Sequence, residues 1–101
     1  GDLPYVRGIL AHCYALMGRK KDAEEILNGL LRLSKRRYVS SMTLALIYIG
    51  LNRFDEAIRC VEKAYQVMEG PLVFLNVYPT YDPIRNHPRC QEMIRNMGLA
   101  R

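Results

Sequence analysis

The amino-acid sequence predicts an all-α fold in which two helical hairpins stack on one another and a C-terminal segment caps them. Three observations carry this prediction: a 34-residue internal period, apolar residues at helical spacing in each copy, and small or turn-forming residues at matching places. The period pairs Leu10-Ala11 with Leu44-Ala45, Tyr14 with Tyr48, Arg19 with Arg53, Asp22 with Glu56, and Ala23 with Ala57. These positions suit two packed helices, so the period indicates a structural unit.

The first copy has the pattern of a helical hairpin interrupted at Gly18. Apolar residues recur at helical spacing before the break at Ile9, Leu10, Cys13, Leu16 and Met17, and after it at Ala23, Ile26, Leu27, Leu30 and Leu31. Glycine tolerates the left-handed backbone conformation in which many helices end. We therefore expect the first helix to end at Gly18.

The second copy repeats this design around Asn52, which also tolerates the left-handed conformation. Its apolar positions are Leu44, Ile47, Tyr48 and Leu51 before the turn, and Ala57, Cys60, Val61, Ala64 and Tyr65 after it. Small residues recur where the two helices of a hairpin should approach closely, at Ala11, Ala23, Ala45 and Ala57. A larger side chain at these positions would push the helices apart.

The C-terminal third of the chain is predicted to cap the array, because a hairpin repeat cannot bury its apolar face alone. Residues 72–75 predict a short third helix packed on the end of the second hairpin. Prolines then break the pattern until Pro88, which suits the first turn of a last helix that Gly98 ends. The sequence thus predicts one domain over 1–101, with repeats at about 4–37 and 38–71 and a capping segment at 72–101.

These residues resemble the tetratricopeptide repeat, whose pattern has a small residue and an aromatic on the first helix and an acidic residue followed by Glu-Ala on the second. The match is carried by Ala45, Tyr48, Asn52, Arg53-Phe54-Asp55-Glu56-Ala57 and Ala64. The chain departs from the pattern at Arg7 and Ser41, where an aromatic is usual, and at Lys35 and Glu69, where a proline often ends the repeat. The resemblance implies a right-handed superhelix of hairpins that acts as a non-catalytic protein-interaction scaffold.

The C-terminal end of the chain resembles the tail that closes repeat arrays in many large bacterial signalling proteins. The resemblance is carried by Asp82-Pro83-Ile84-Arg85, His87-Pro88-Arg89 and Ile94-Arg95-Asn96-Met97-Gly98-Leu99. In that group the array commonly follows a DNA-binding, kinase or nucleotide-cyclase domain. The resemblance therefore implies a piece of a larger bacterial regulator of transcription or signalling. The Gly1-Asp2 start without an initiator Met agrees with that expectation.

In the resembled family, the first helix of each repeat lines a concave groove that holds an extended peptide or a partner helix. By position, this implies groove residues Tyr5, Gly8, Ile9, His12 and Leu16 in the first repeat and Val39, Met42, Leu46 and Ile49 in the second. Most are apolar, so a clamp for a terminal carboxylate is disfavoured. The occupant stays open between a partner segment, the chain's own C-terminal segment and a second copy. Met42 and Leu46 are expected to face solvent.

The charge distribution, hydropathy and cysteine content disfavour a nucleic-acid-binding, membrane-spanning or secreted protein. A formal charge of +5 permits nucleic-acid binding, but the basic residues cluster at two predicted turns, 19–21 and 35–37, which disfavours a continuous phosphate-binding face. No apolar run approaches the roughly 18–20 residues that cross a bilayer, and residues 1–20 lack the pattern of a signal peptide. Three scattered cysteines without a CxxC pair predict buried, reduced thiols and a cytoplasmic location.

No residue pattern predicts catalysis, a cofactor or a metal centre. His87-x-x-Cys90 has the spacing of two metal ligands, but nothing nearby completes a site. His12 and Cys13 diverge by about 100° on a helix, so they cannot act as a nucleophile and its base. The sequence therefore predicts a protein-interaction module and no enzyme. The alternative is a regulatory domain that homodimerises its parent protein.

Overall fold

The computed structural model describes residues 3–76 and 78–98, and this part of the chain contains helices and no strand. The four long helices are α1 (Leu3–Leu16), α2 (Lys20–Leu33), α3 (Ser41–Gly50) and α4 (Phe54–Gln66). Two 3₁₀ segments (Gly70–Asn76 and Pro79–Tyr81), α5 (Asp82–Arg85) and α6 (Pro88–Asn96) follow. The predicted all-α, tetratricopeptide-like fold is confirmed.

Helix α3 lies at the centre of the molecule. It packs against α4 within the second hairpin and against α1 of the first, while α1 also packs on α2. All ten residues of α3 are buried, from Ser41 to Gly50. A helix covered on every side must be apolar around its whole circumference, which the segment SMTLALIYIG satisfies.

Small residues let these helices approach one another. The four alanines predicted at the crossings, Ala11, Ala23, Ala45 and Ala57, are all fully buried. Gly8 adds a contact that the period did not indicate, since a Cβ atom built there would lie 2.5 Å from Cγ2 of Thr43. Gly50 is also confined, since a Cβ atom built there would lie 3.0 Å from the Cβ of Ala15. Helices α1 and α3 therefore cross at backbone distance at two points.

The turns inside the hairpins confirm the predicted helix ends. Gly18 and Asn52 have φ angles of +84° and +61°, in the left-handed region. Arg19 stacks over the ring of Tyr14 at 4.4 Å and forms an ion pair with Asp22 at 2.8 Å. The second turn repeats this arrangement, with Arg53 over Tyr48 at 5.0 Å and paired with Glu56. The aligned identities in the sequence are thus the residues that build this turn.

The segment after α4 differs from the prediction. Residues 72–75 belong to a 3₁₀ segment and form no short α-helix. Met68, two residues beyond the end of α4, has a φ of +55°, and Pro71 supplies no N–H, so a regular α-helix cannot continue through this stretch. Leu72 and Leu75 are nevertheless fully buried, so the segment still caps the hairpin with apolar side chains.

Helix α6 closes the array as predicted. Pro88 opens its first turn, and Nδ1 of His87 accepts a hydrogen bond from the backbone N–H of Arg89 at 3.1 Å. Its buried face is formed by Cys90, Met93 and Ile94, and the helix packs on α4. Gly98 follows with a φ of +75°.

Candidate functional site

A cavity of about 580 Å³ opens where α1, α3 and the C-terminal segment meet. Its lining comprises Tyr5, Ile9 and His12 from α1, Ser40, Met42, Thr43 and Leu46 at α3, and Pro71, Phe74, Tyr78, Thr80 and Tyr81 from the C-terminal segment. No lysine, arginine, aspartate or glutamate is among these residues. The cavity is therefore an apolar, largely aromatic space with a few neutral polar groups.

The structure brings five of the nine predicted groove residues to this cavity and leaves four outside it. Tyr5, Ile9, His12, Met42 and Leu46 line the cavity. Leu16 instead lies in solvent at the end of α1, 69% exposed. Val39 and Ile49 are buried in the core. Gly8, also predicted for the groove, is buried against Thr43.

The expectation that Met42 and Leu46 face solvent is wrong. They are 1% and 6% exposed, because α1, α4 and the C-terminal segment pack around α3. Both residues contribute to the core and to the cavity floor at once. The open rim of the cavity is formed instead by Tyr5, Ile9 and Tyr78, which remain 40–46% exposed.

The C-terminal segment, one of the three groove occupants that the sequence left open, supplies the outer wall of the cavity. The rings of Phe74 and Tyr78 stack in parallel with centroids 4.5 Å apart. The guanidinium of Arg85 holds this stretch by donating to the carbonyl of Leu75 at 2.9 Å and to the carbonyl of Tyr78. Burial raises the pKa of the Tyr81 hydroxyl above its ordinary value.

His12 is a buried polar side chain in the cavity wall. Its Nδ1 lies 2.7 Å from the backbone carbonyl oxygen of Leu46. Because a carbonyl oxygen can only accept, Nδ1 carries the hydrogen and Nε2 is an acceptor in the neutral ring. The hydrogen bond fixes the ring against α3.

Glu69 anchors the junction behind the cavity. Its carboxylate accepts hydrogen bonds from Oγ of Ser40 at 2.7 Å and from the backbone N–H groups of Ser41 at 2.9 Å and Met42 at 3.4 Å. Burial alone would raise the pKa of Glu69, but these bonds and one from the Tyr38 hydroxyl together lower it below its ordinary value. Burial, and after it the hydrogen bond to Glu69, raises the pKa of Tyr38 to about 12. The carboxylate thus caps the start of α3 from the end of α4.

The reactive side chains are dispersed. The structure places no group of three or more His, Cys, Asp or Glu side chains suited to a metal ion in 3–76 or 78–98. His87 caps α6, and burial raises the pKa of the Cys60 and Cys90 thiols to about 11. Cys13 is exposed on α1, against the expectation of three buried thiols.

The two basic clusters lie at opposite ends of α2, a helix of 14 residues and hence about 21 Å long. Residues 19–21 are at its start. Residues 35–37 follow its end, where Lys35 and Arg36 line a shallow depression together with Arg7 and Arg32. No helix in the described part of the chain is long and apolar enough to cross a membrane.

Comparison with known proteins finds a family match within the second hairpin. The family model for the tetratricopeptide repeat matches residues 40–67, a stretch that spans α3 and α4. No curated protein and no solved structure matches the chain. Tetratricopeptide repeats are generally non-catalytic scaffolds for protein–protein interaction. The second hairpin is therefore similar to a tetratricopeptide repeat, and the chain has an all-α, tetratricopeptide-like fold.

Proposed function

We propose that this chain is a non-catalytic interaction module that holds an extended segment or a helix of a partner protein in the cavity between α1, α3 and the C-terminal segment. The observation that carries the proposal is the neutral, apolar cavity on the inner side of the first helix of each hairpin. The tail resemblance further supports a place within a larger bacterial regulatory protein.

The rim of the cavity favours a protein segment as the occupant. Tyr5, Ile9 and Tyr78 each leave a large apolar surface open to solvent around one entrance. Clefts of several hundred Å³ with apolar walls and a few polar groups are typical binding sites. The separation of the two basic clusters disfavours a nucleic-acid surface, which would need a continuous positive face.

The test uses two exposed apolar residues of the same helix. Peptides selected from a displayed random library against the protein are measured by calorimetry with wild type, Ile9→Glu and Leu16→Glu. Ile9 lines the cavity and Leu16 does not, while both side chains are at least 40% exposed and tolerate charge without loss of the core. We expect Ile9→Glu to weaken binding at least tenfold and Leu16→Glu to leave it unchanged. Equal effects of the two variants would refute the cavity as the site.

Homodimerisation is the second candidate, and the outer face of α1 favours it. Leu3, Val6, Leu10 and Met17 form an exposed apolar stripe at helical spacing. One period later, Leu44 and Leu51 occupy the positions of Leu10 and Met17 and are buried. A second copy could cover the stripe on α1 in the same way. Sedimentation equilibrium over a concentration series, with Leu10→Glu as the dimer-breaking variant, tests this alternative.

A further inference from the structure

The cavity contains a polar group that the protein itself leaves partly unsatisfied. His12 is 9% exposed, and its hydrogen bond to the carbonyl of Leu46 uses Nδ1. In residues 3–76 and 78–98, no fully enclosed side-chain nitrogen or oxygen lacks a partner. The hydrogen bond to Leu46 occupies Nδ1, so Nε2 is the ring nitrogen left to interact with a ligand in the cavity that His12 lines.

We infer that the cavity takes an uncharged aromatic side chain with one hydrogen-bond donor, a tyrosine or a tryptophan of the partner segment, whose O–H or N–H donates to Nε2 of His12. This inference rests on the proposed function, because it treats the occupant as a protein segment. It adds the chemical identity of the residue that enters.

The side chains that line the cavity favour an aromatic ring in the side chain that enters it. Tyr5, Phe74 and Tyr78 present rings around the entrance, and Met42 and Leu46 form an apolar floor. Rings pack favourably on one another in offset or edge-to-face contacts and gain more than their buried area alone provides. Tyrosine and tryptophan combine such a body with a polar tip that seeks a partner when buried.

The uncharged lining and the acceptor on His12 favour an occupant whose polar group is neutral and donates one hydrogen bond. A lysine, arginine or carboxylate side chain would lose its hydration without meeting an opposite charge among the lining residues. A phenylalanine or leucine would displace water from Nε2 without replacing its hydrogen bond. A neutral side chain with a single donor avoids both costs.

The first experiment compares two small probes on the wild-type protein by ¹H–¹⁵N NMR titration. p-Cresol has the body and donor of tyrosine, and 4-methylanisole has the same ring with the donor blocked by a methyl group. A hydrogen bond of ordinary net strength predicts that p-cresol binds about fivefold more tightly, with a range of about two- to tenfold. Shifts should centre on Tyr5, His12 and Leu46. Equal affinities, or shifts centred on the outer face of α1, would overturn the inference.

A variant then assigns the preference to His12. His12→Phe keeps an aromatic ring in place but removes Nε2, so we expect the two probes to bind with equal affinity to it. A preference that survives in a folded His12→Phe protein would overturn the inference. If that variant does not fold, the comparison of the two probes on wild type decides alone.

A peptide pair tests the source of the aromatic group. Acetylated and amidated pentapeptides with a central Tyr or a central Phe in a glycine background are titrated in the same way. We expect the Tyr peptide to bind with the same preference as p-cresol and to shift the same residues. Binding of p-cresol without binding of the Tyr peptide would indicate a site for a free small phenol and overturn the inference. Selected partner peptides that depend on Ile9 but contain neither Tyr nor Trp would overturn it while leaving the proposed function intact.

Discussion

Replacing Glu69 by Gln tests how the residues that follow α4 are held to the start of α3. Besides the Tyr38 hydroxyl, the carboxylate receives three protein donors, at 2.7, 2.9 and 3.4 Å, two of them backbone N–H groups of α3. The side-chain amide of glutamine has one oxygen acceptor where the carboxylate has two. It turns an NH₂ group toward either the hydroxyl of Ser40 or the N–H of Ser41, so at least one bond to a charged acceptor is lost.

The expected magnitude follows from that loss. A hydrogen bond to a charged group contributes about 1.5–3 kcal/mol to stability. A negative charge at the start of a helix contributes about 0.3–1 kcal/mol more. We expect Glu69→Gln to lower the free energy of unfolding by about 2 kcal/mol. For a domain of this size that corresponds to a decrease in Tm of roughly 10 °C. Urea denaturation at neutral pH measures the effect, and Glu25→Gln on the exposed surface of α2 is the control.

The pH dependence has a definite sign. The pKa of Glu69 is lower in the folded protein than its ordinary value, so the folded state favours the ionised form. Its contribution is present at pH values above the ordinary glutamate range and is lost as the pH falls through the folded pKa. The difference in unfolding free energy between wild type and Glu69→Gln should therefore shrink as the pH falls below about 4. An unchanged urea midpoint at neutral pH, or a difference that grows on acidification, would refute the capping role.

Three further predictions concern packing. Ala57→Leu should destabilise the protein by about 1–3 kcal/mol because Ala57 is fully buried at a helix crossing, and an unchanged urea midpoint would contradict that assignment. Replacing Met42 and Leu46 together by Glu should unfold the protein, since both side chains are buried; retention of the wild-type circular dichroism spectrum would show that this part of α3 is open. Deleting residues 88–101 should uncover the face of α4 that α6 packs against and increase binding of a hydrophobic dye, whereas a monomer with a full thermal transition would show that α6 is dispensable.

The hairpins could be predicted from the sequence because their determinants are local and repeated. Three features recur after 34 residues: the helical spacing of apolar residues, the small residues at the crossings, and the left-handed positions Gly18 and Asn52. The close contact of Gly8 with Thr43 was not predictable in this way, since it joins two helices of different repeats and has no aligned counterpart.

The cavity was predicted only in part, for a physical reason. The positions on α1 and α3 follow from the geometry of a repeat, whereas the outer wall comes from a proline-interrupted stretch without periodicity. Nothing local in the sequence shows where such a segment folds back. One signal was present at the junction: Ser40 and Ser41 open α3, and a glutamate stands where a proline often ends the repeat. An acidic residue near a helix start is a capping candidate.

Comparison of the two repeats position by position separates the residues that build the hairpin from those that build the candidate site. Tyr14 and Arg19 are identical to their counterparts one period later, and both pairs make the same stacked, ion-paired turn. His12 instead aligns with Leu46, and the imidazole donates to the carbonyl of that aligned leucine, which places a polar group in the cavity wall. Glu69 aligns with an exposed lysine and caps α3. Both differences lie where a repeat contacts something other than its own hairpin, so these two unequal positions belong to the cavity and the junction of this array.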